Sequence, residues 1–343
     1  MKVPTHEEAF QVLLLQAADD GRAELLFGDS LERLREAIPP FLIGDDFPDV
    51  YLEHPLIGSP FIDATVLYGK LRPGLHVDSP LAGKNNELFD WFSEVRESYD
   101  DISFGFELDT KEEVPPAAAV HFQPRRHTEL VRPFCELADE PERASLFLDF
   151  AKRLPDDWSP SFFGLFRGRA GSPLRICGYV DVAEKLACAT DHTHLAHLFD
   201  TIGFAAYHEE MLAQISAIMA AAPSTVDFQF DVYPDGSLGS MFALDVRFGV
   251  QQPEEMQETF ENGPGARLMG ILEGWGMADD RWRLATRAAF ARAIPAVLPD
   301  NSIELYAFTL MPQWVKVRWV DGKLQPSKLY HLGRGALLGR SKA

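Results

Sequence analysis

Four side chains near the C-terminus have the types and spacing of an anion-binding site. Lys316 and Arg318 are two residues apart in one apolar-alternating run, and Lys328 and Tyr330 are two apart in the next. Side chains alternate between the two faces of a strand, so each pair lies on one face. The Asp-Gly pair at 321–322 is a strong hairpin signal, and a hairpin brings both pairs side by side. Such a ribbon either binds an anion or presents a solvated basic face.

The elements that must position these residues form a repeating pattern. The segments between successive hairpins have helical spacing, usually as two helices, and the last of these segments is predicted to be helical as far as Ile294. Paired runs of alternating apolar residues predict five hairpins, near 49–71, 102–124, 162–180, 226–250 and 303–332.

These hairpins predict a closed sheet. About ten antiparallel strands can form a barrel, which removes exposed sheet edges, while amphipathic helices cover its outside. We therefore predict an α+β fold in a single domain over 1–343. Its core is an antiparallel ten-stranded β-barrel of five repeated helix-helix-strand-strand units, and two smaller sheets are the alternative.

Composition and charge disfavour several classes of function. The 343 residues carry a formal net charge of −20, and no basic stripe of the kind that binds nucleic-acid phosphates is visible. No apolar run reaches the roughly 18 to 20 residues of a membrane span. We therefore predict a cytoplasmic protein with neither nucleic acid nor membrane as a partner. Cys135, Cys177 and Cys188 are odd in number and lack CxxC spacing, which supports neither a disulfide framework nor a zinc knuckle.

The order of helices and hairpins resembles the plan of the ABBA-fold aromatic prenyltransferases over nearly the whole chain. Inward strands of that family often end in Lys-x-Tyr, which binds the diphosphate of an allylic donor. Lys328-Leu329-Tyr330 matches this pattern. The segments at 102–109 and 119–124 resemble the opening and closing strands of a family hairpin.

The other hairpins depart from the family pattern. In the second hairpin, Ala119 and His121 stand where the family has Lys and Tyr. The third hairpin has Arg175 and Cys177 at these positions, which keeps a cation and loses the phenol. The fourth has alanine, leucine and aspartate at 243–245, which keeps neither. These departures put diphosphate binding by the second and fourth hairpins in doubt.

The resemblance implies transfer of a prenyl group from an allylic diphosphate to an aromatic small molecule or a peptide, with no cofactor besides this co-substrate. Cations stabilise a leaving diphosphate, and the candidates to bind it are Arg167, Arg175, Lys316, Arg318, Lys328 and Tyr330. If they form a cationic cluster, removal of Lys328 relieves repulsion and leaves stability level or slightly higher.

Glu107 and His121 are the candidate catalytic residues. Glu107 lies among apolar or small neighbours in the hairpin most similar to the family, where a carboxylate near the strand end acts as the base. A solvated strand-end residue is the alternative interpretation. The same two residues would serve a peptide cyclase or isomerase on this scaffold. The missing lysines favour a further alternative, a barrel that binds a peptide without prenyl transfer.

A second likeness concerns biological context. The segments at 164–169 and 173–177, together with the Lys-Leu-Tyr ending at 328–330, are similar to uncharacterised bacterial proteins encoded near ribosomally made peptide natural products. This likeness implies natural-product biosynthesis and no particular chemistry.

Two other patterns have simpler structural interpretations. Asp191, His194 and His197 are three apart on one helix face, but the spacing differs from HExxH and Asp191 can cap the helix. No Cys or carboxylate partner is marked elsewhere, so we predict an external helix and no metal site. The alternating strand aromatics are candidates for the lumen, but we predict that most pack in the core: Phe104, Phe106, Phe228, Phe230, Tyr233 and Trp319.

Overall fold

The computed structural model describes residues 2–19, 21–44, 46–69, 82–108, 119–166, 171–250 and 252–338, and Arg167 lies outside these ranges. The strands are β1 (Asp49–Pro55), β2 (Asp63–Tyr68), β3 (Ser103–Leu108), β4 (Ala119–Gln123), β5 (Trp158–Leu165), β6 (Leu174–Val180), β7 (Val226–Val232), β8 (Leu238–Arg247), β9 (Phe290–Val297), β10 (Ile303–Val320) and β11 (Lys323–Leu338). The α-helices are α1 (His6–Ala17), α2 (Ser30–Ala37), α3 (Ala82–Val95), α4 (Val131–Leu137), α5 (Glu142–Ala151), α6 (Val182–Thr190), α7 (His192–Ile202), α8 (Glu209–Ala221), α9 (Pro253–Glu261), α10 (Pro264–Gly274) and α11 (Arg281–Arg287). Within the described ranges, no helix is both long and apolar enough to cross a membrane.

The strands form one sheet that closes on itself. Neighbours follow the order β11-β1-β2-β3-β4-β5-β6-β7-β8-β10-β9, and β10 also pairs with β11. Ten strands thus form a closed antiparallel barrel, and β9 pairs with the first part of β10, outside the ring. The predicted ten-stranded barrel with surrounding helices is confirmed. In the described part of the chain, one to three α-helices precede each hairpin, so the repeat is not uniform.

The segment before the last hairpin differs from the prediction. Helix α11 ends at Arg287, and Phe290–Val297 forms β9, which pairs with Ile303–Leu310. The prediction of helix as far as Ile294 is therefore wrong. Pro295 disfavours a helix here because it has no N–H to donate, and an edge strand tolerates it.

The two faces of the barrel wall have different chemistry. On the outer face, Phe106 contacts Phe41 and Phe230 contacts Phe150, at ring-centre distances of 5.4 and 5.6 Å. Phe104, Phe106, Phe228, Phe230 and Trp319 are each at most 2% exposed. The prediction that most strand aromatics pack in the core is confirmed. The inner face is left for the polar and charged residues of the alternating pattern.

Two buried histidines lie on the outer face of the wall. The His54 and His331 ring centres are 4.7 Å apart, and His331 Nε2 lies 2.8 Å from the Ala285 carbonyl oxygen. Both side chains are at most 1% exposed. Burial lowers the pKa of both rings, in His331 to about 4. The folded protein therefore holds these imidazoles neutral under conditions that protonate them in the unfolded chain.

We expect this pair to make the fold acid-sensitive between pH 6.5 and 4. Below pH 6.5 the unfolded chain takes up a proton at His331 and the folded chain does not, so stability falls with pH by about 1.4 kcal/mol per unit, on the order of 3 kcal/mol in total. Urea unfolding of wild type and His331→Gln at several pH values measures this, with the exposed His197→Gln as control. Parallel stability curves for wild type and His331→Gln would contradict it.

Candidate active site in the barrel lumen

The lumen holds a cavity of about 120 Å³ lined by residues from all ten barrel strands. The two-residue period of each strand brings five of the predicted site residues to it: Glu107, His121, Arg175, Lys316 and Tyr330. Lys328 precedes Tyr330 on the same face of β11 and contacts the lining residue Glu53. Arg318 lies two residues beyond Lys316 on β10, outside the cavity lining.

Lys328 lies among carboxylates rather than in a cationic cluster. Its ammonium donates to Glu53 at 3.0 Å and to Asp63 at 2.7 Å, and the Tyr330 hydroxyl donates to Glu53 at 2.6 Å. Burial opposes the charged form, but the two carboxylates outweigh burial and raise the pKa of Lys328. The expectation that removal of Lys328 relieves repulsion is therefore wrong, because its removal takes away the cation that two carboxylates share.

Arg175 is held by a carboxylate from the neighbouring strand. Its guanidinium donates two hydrogen bonds to Asp231, at 2.9 and 3.1 Å, and lies 4.6 Å from the centre of the Phe166 ring. Two parallel bonds between guanidinium and carboxylate form a strong, directional pair. Arg175 can therefore bind a ligand anion only in competition with Asp231.

Lys316 is less tightly paired than Lys328. Its Nζ lies 4.0 Å from Asp245 Oδ1 and 4.9 Å from the centre of the Tyr330 ring. Gln229 donates to the other Asp245 oxygen at 2.5 Å, while the buried Oδ1 has no hydrogen-bond partner among the described residues. Burial raises the pKa of Asp245 to about 6, and Lys316 offsets part of that shift. Near pH 6 about half of Asp245 is therefore neutral, and Lys316 then lacks its counter-charge.

A second cationic group consists of Arg125, Tyr179 and Arg247. The Arg125 guanidinium donates to the Tyr179 hydroxyl, and Arg125 and Arg247 lie 5.6 and 5.9 Å from the centre of the Tyr179 ring. Arg247 donates to Asp227 at 2.7 Å. Burial and the neighbouring Arg247 charge lower the pKa of Arg125. Because the two guanidiniums repel each other, an anion between them would be stabilising.

The sequence analysis missed this second group, although a signal was present. Arg247 follows Asp245 by two residues, and Tyr179 follows Cys177 by two. The same two-residue period connects Lys328 to Tyr330, and extending it along β6 and β8 would have identified both residues.

Trp314 packs between two other aromatic rings of the lumen, stacked on Tyr330 and tilted against Tyr51. Trp314 lies 4.9 Å from Tyr51 and 5.0 Å from Tyr330, measured between ring centres. Arg247 lies over the Trp314 ring at 4.9 Å, as Lys316 does over Tyr330. Ring faces that attract these cations also stabilise a carbocation. The buried indole N–H of Trp314 has no hydrogen-bond partner in the described part of the chain, so it can donate to a ligand.

Glu107 and His121 form a carboxylate–imidazole pair. Glu107 Oε2 lies 3.1 Å from His121 Nε2, and the side chains are 16% and 8% exposed. The His121 ring meets the Phe166 ring edge to face at 5.4 Å. A carboxylate that is mostly buried and hydrogen-bonded to an imidazole can accept a proton from a bound molecule. This geometry favours a base over a solvated strand-end residue.

Comparisons with known proteins give a fold-level likeness. No protein-family profile and no curated protein sequence matches the chain. The structure of 5-dimethylallyltryptophan synthase from Streptomyces coelicolor is 14% identical, with a TM-score of 0.54 over 96% of this chain and 97% of that one. The same synthase in complex with DMASPP and Trp is 13% identical, with a TM-score of 0.53 over 96% and 95% of the two chains. The chain therefore has the ABBA barrel fold of the aromatic prenyltransferases, as the sequence resemblance implied.

Proposed function

We propose that this chain is a cytoplasmic enzyme that transfers a prenyl group from an allylic diphosphate to an aromatic acceptor inside the barrel. The observation that carries the proposal is the lumen, where cations, stacked aromatic rings and a carboxylate–imidazole pair line one cavity. The likeness to a synthase solved with DMASPP and Trp supports it. The lumen of this fold thus contains groups for each part of the reaction.

The cations are assigned to the leaving diphosphate. When the C–O bond of the donor breaks, negative charge grows on the diphosphate, and fixed cations in a partly dry site stabilise it. Lys316 and the Arg125–Arg247 pair are the first candidates, because Lys316 is loosely paired and the two guanidiniums repel each other. The remaining proposed ligands are held by carboxylates or lie farther along the wall: Arg175, Arg318, Lys328 and Tyr330.

The aromatic rings and the Glu107–His121 pair are assigned to the later steps. The faces of Trp314 and Tyr330 can shield the allylic cation from water. An aromatic carbon of the acceptor then forms the new C–C bond, and the proton that this carbon loses passes to Glu107. His121, at 3.1 Å, holds the carboxylate in place.

We extend the proposal to natural-product biosynthesis, with an aromatic small molecule or an aromatic side chain of a peptide as acceptor. A product assay tests the proposed reaction. Purified protein is incubated with dimethylallyl diphosphate and with tryptophan, tyrosine or short peptides that contain them. Mass spectrometry should detect a prenylated acceptor and released diphosphate. If the protein binds the donor but forms no product with any of these acceptors, the proposed transfer to them is overturned.

The pairing of the lumen charges favours a second candidate, a barrel that binds a peptide without prenyl transfer. Lys328, Arg175 and Arg247 each contact a carboxylate at 3.1 Å or less. The cavity of about 120 Å³ is also below the roughly 300 to 1,000 Å³ of most small-molecule sites. A peptide cyclase or isomerase that uses Glu107 and His121 fits the same observations. Either would bind a peptide and leave an allylic diphosphate unbound.

Lys316 and Asp245 should affect donor binding in opposite directions. Lys316→Met removes a charge-assisted bond and should weaken donor binding about ten- to a hundredfold, whereas Asp245→Asn removes a competing negative charge and should strengthen it. Wild-type affinity should also rise as pH falls towards 6, and Asp245→Asn should remove that dependence. Calorimetric titration with dimethylallyl diphosphate measures both, with Lys323→Met, at the exposed first residue of β11, as control. Weaker binding by Asp245→Asn would contradict this assignment.

A further inference from the structure

We propose that Glu184, Cys188 and His194 form a binding site for a divalent metal ion of zinc type on the outer helices. A carboxylate oxygen, the Cys188 Sγ and a ring nitrogen of His194 all lie within 4.8 Å of one another. This set differs from Asp191, His194 and His197, which share a helix face by spacing alone. The site lies outside the lumen, so the inference does not depend on the proposed prenyl transfer.

Local structure fixes the three ligand atoms. Glu184 and Cys188 are four residues apart on α6, so their side chains lie on one helix face. Asp191 caps α7 by accepting from the Thr193 N–H at 2.8 Å, which sets the start of the helix that carries His194. His194 Nε2 then lies 2.8 Å from Glu184 Oε1.

The distances are close to those of a tetrahedral zinc site. Zinc bonds of about 2.0 to 2.3 Å to O, N and S place tetrahedral ligand atoms roughly 3.3 to 3.6 Å apart. The Cys188 Sγ is already 3.6 Å from Glu184 Oε1, and the His194 Nε2, at 2.8 Å from the same oxygen, would have to move away from it by roughly 0.5 Å to accommodate the ion.

Burial and charge favour a cation at this position. Cys188 is fully buried and Glu184 is 8% exposed, whereas the His194 side chain is 34% exposed. A buried carboxylate needs positive charge nearby, which a divalent ion supplies, and the bound ion would take the place of the Cys188 thiol proton. Three protein ligands with a fourth position facing solvent on the His194 side match the open zinc sites of proteins. A cluster of acidic side chains on the surface, by contrast, has neither a thiol ligand nor a buried ligand.

A metal at this position would hold the outer helices together. It would join α6 to α7, and the Ser216 hydroxyl of α8 already donates to the Cys188 carbonyl at 2.7 Å. An ion that binds only the folded chain stabilises it by mass action. We therefore expect zinc to raise the melting temperature of the protein.

The test is metal binding by the full chain and matched variants. Zinc is titrated against a chromophoric chelator, and cobalt is added as a spectroscopic probe of the thiolate. His194→Gln should lose the stoichiometric metal and the thermal stabilisation, whereas His197→Gln, on the exposed side of the same helix, should keep both. Cys188→Ser should remove the thiolate-to-cobalt absorption band. If Cys188→Ser does not fold, His194→Gln still tests the site, because the His194 side chain is partly exposed.

Three outcomes would overturn the proposal. The first is no zinc or cobalt bound by wild type at an excess of metal. The second is equal loss of metal in His194→Gln and His197→Gln. The third is bound cobalt without a thiolate band, which would place the ion elsewhere on the acidic surface.

Discussion

The Glu107→Gln variant is expected to transfer prenyl groups about a hundred- to ten-thousandfold more slowly than wild type, the range that a positioned general base contributes. Glutamine keeps the size of the side chain and can still bond to His121, which lies 3.1 Å from the carboxylate. It cannot accept the proton that leaves the acceptor. Donor binding should stay intact, since Glu107 contributes no positive charge to the diphosphate. Single-turnover product formation, measured beside calorimetric donor binding, separates the two effects.

Ser103→Ala is a matched control for Glu107→Gln. Ser103 lies on the same strand and donates to Gln123 at 2.8 Å, so its loss removes a lumen hydrogen bond without removing a base. It should leave the rate within a few-fold of wild type. A wild-type rate in Glu107→Gln, or equal losses in both variants, would refute the role of Glu107 as the base.

The Lys328→Met variant is expected to lose about 3 to 5 kcal/mol of stability, because it removes one partner of a mostly buried ion pair. Methionine fills the volume of the lysine stem, but Glu53 and Asp63 then lose the ammonium that bridges them. Glu53 is 4% exposed and cannot regain its hydration in the fold. Chemical unfolding of the variant and of wild type measures the loss.

Two variants identify the cause of that loss. Lys323→Met, at the exposed first residue of β11, should change stability by less than about 0.5 kcal/mol. Adding Glu53→Gln and Asp63→Asn to Lys328→Met should restore most of the lost stability, because the two negative charges that the lysine neutralised are also removed. If Lys328→Met alone is as stable as wild type, the ion-pair network described for Glu53, Asp63 and Lys328 is wrong.

The sequence predicted the barrel and the inward faces of its strands because both follow from a local two-residue period. Lys316, Lys328 and Tyr330 reach the lumen side of the wall for that reason. Their ionic partners could not be predicted in this way. Lys328 meets Glu53 and Asp63 across 275 and 265 residues of sequence, a pairing that only the closure of β11 on β1 creates.

The helical prediction over the residues before β9 failed for a related reason. Alternation in the short segment from Phe290 to Val297 is ambiguous, and the pairing of that segment with Ile303–Leu310 decides its conformation. Glu107 and His121, by contrast, were both predicted as site residues. Each residue can be predicted from the pattern of its own strand, and the register of β3 against β4 places the two within hydrogen-bond distance.

The most direct test of the central claim is a crystal structure of the wild-type protein with a non-reactive dimethylallyl thiolodiphosphate. We expect the diphosphate inside the barrel, within hydrogen-bond distance of Lys316 and of Arg125 or Arg247, with the prenyl chain against Trp314 and Tyr330. A lumen that contains no ligand at millimolar concentration, with its cations still paired to carboxylates of the chain, would contradict the account. The peptide-binding barrel would then be the better description of this protein.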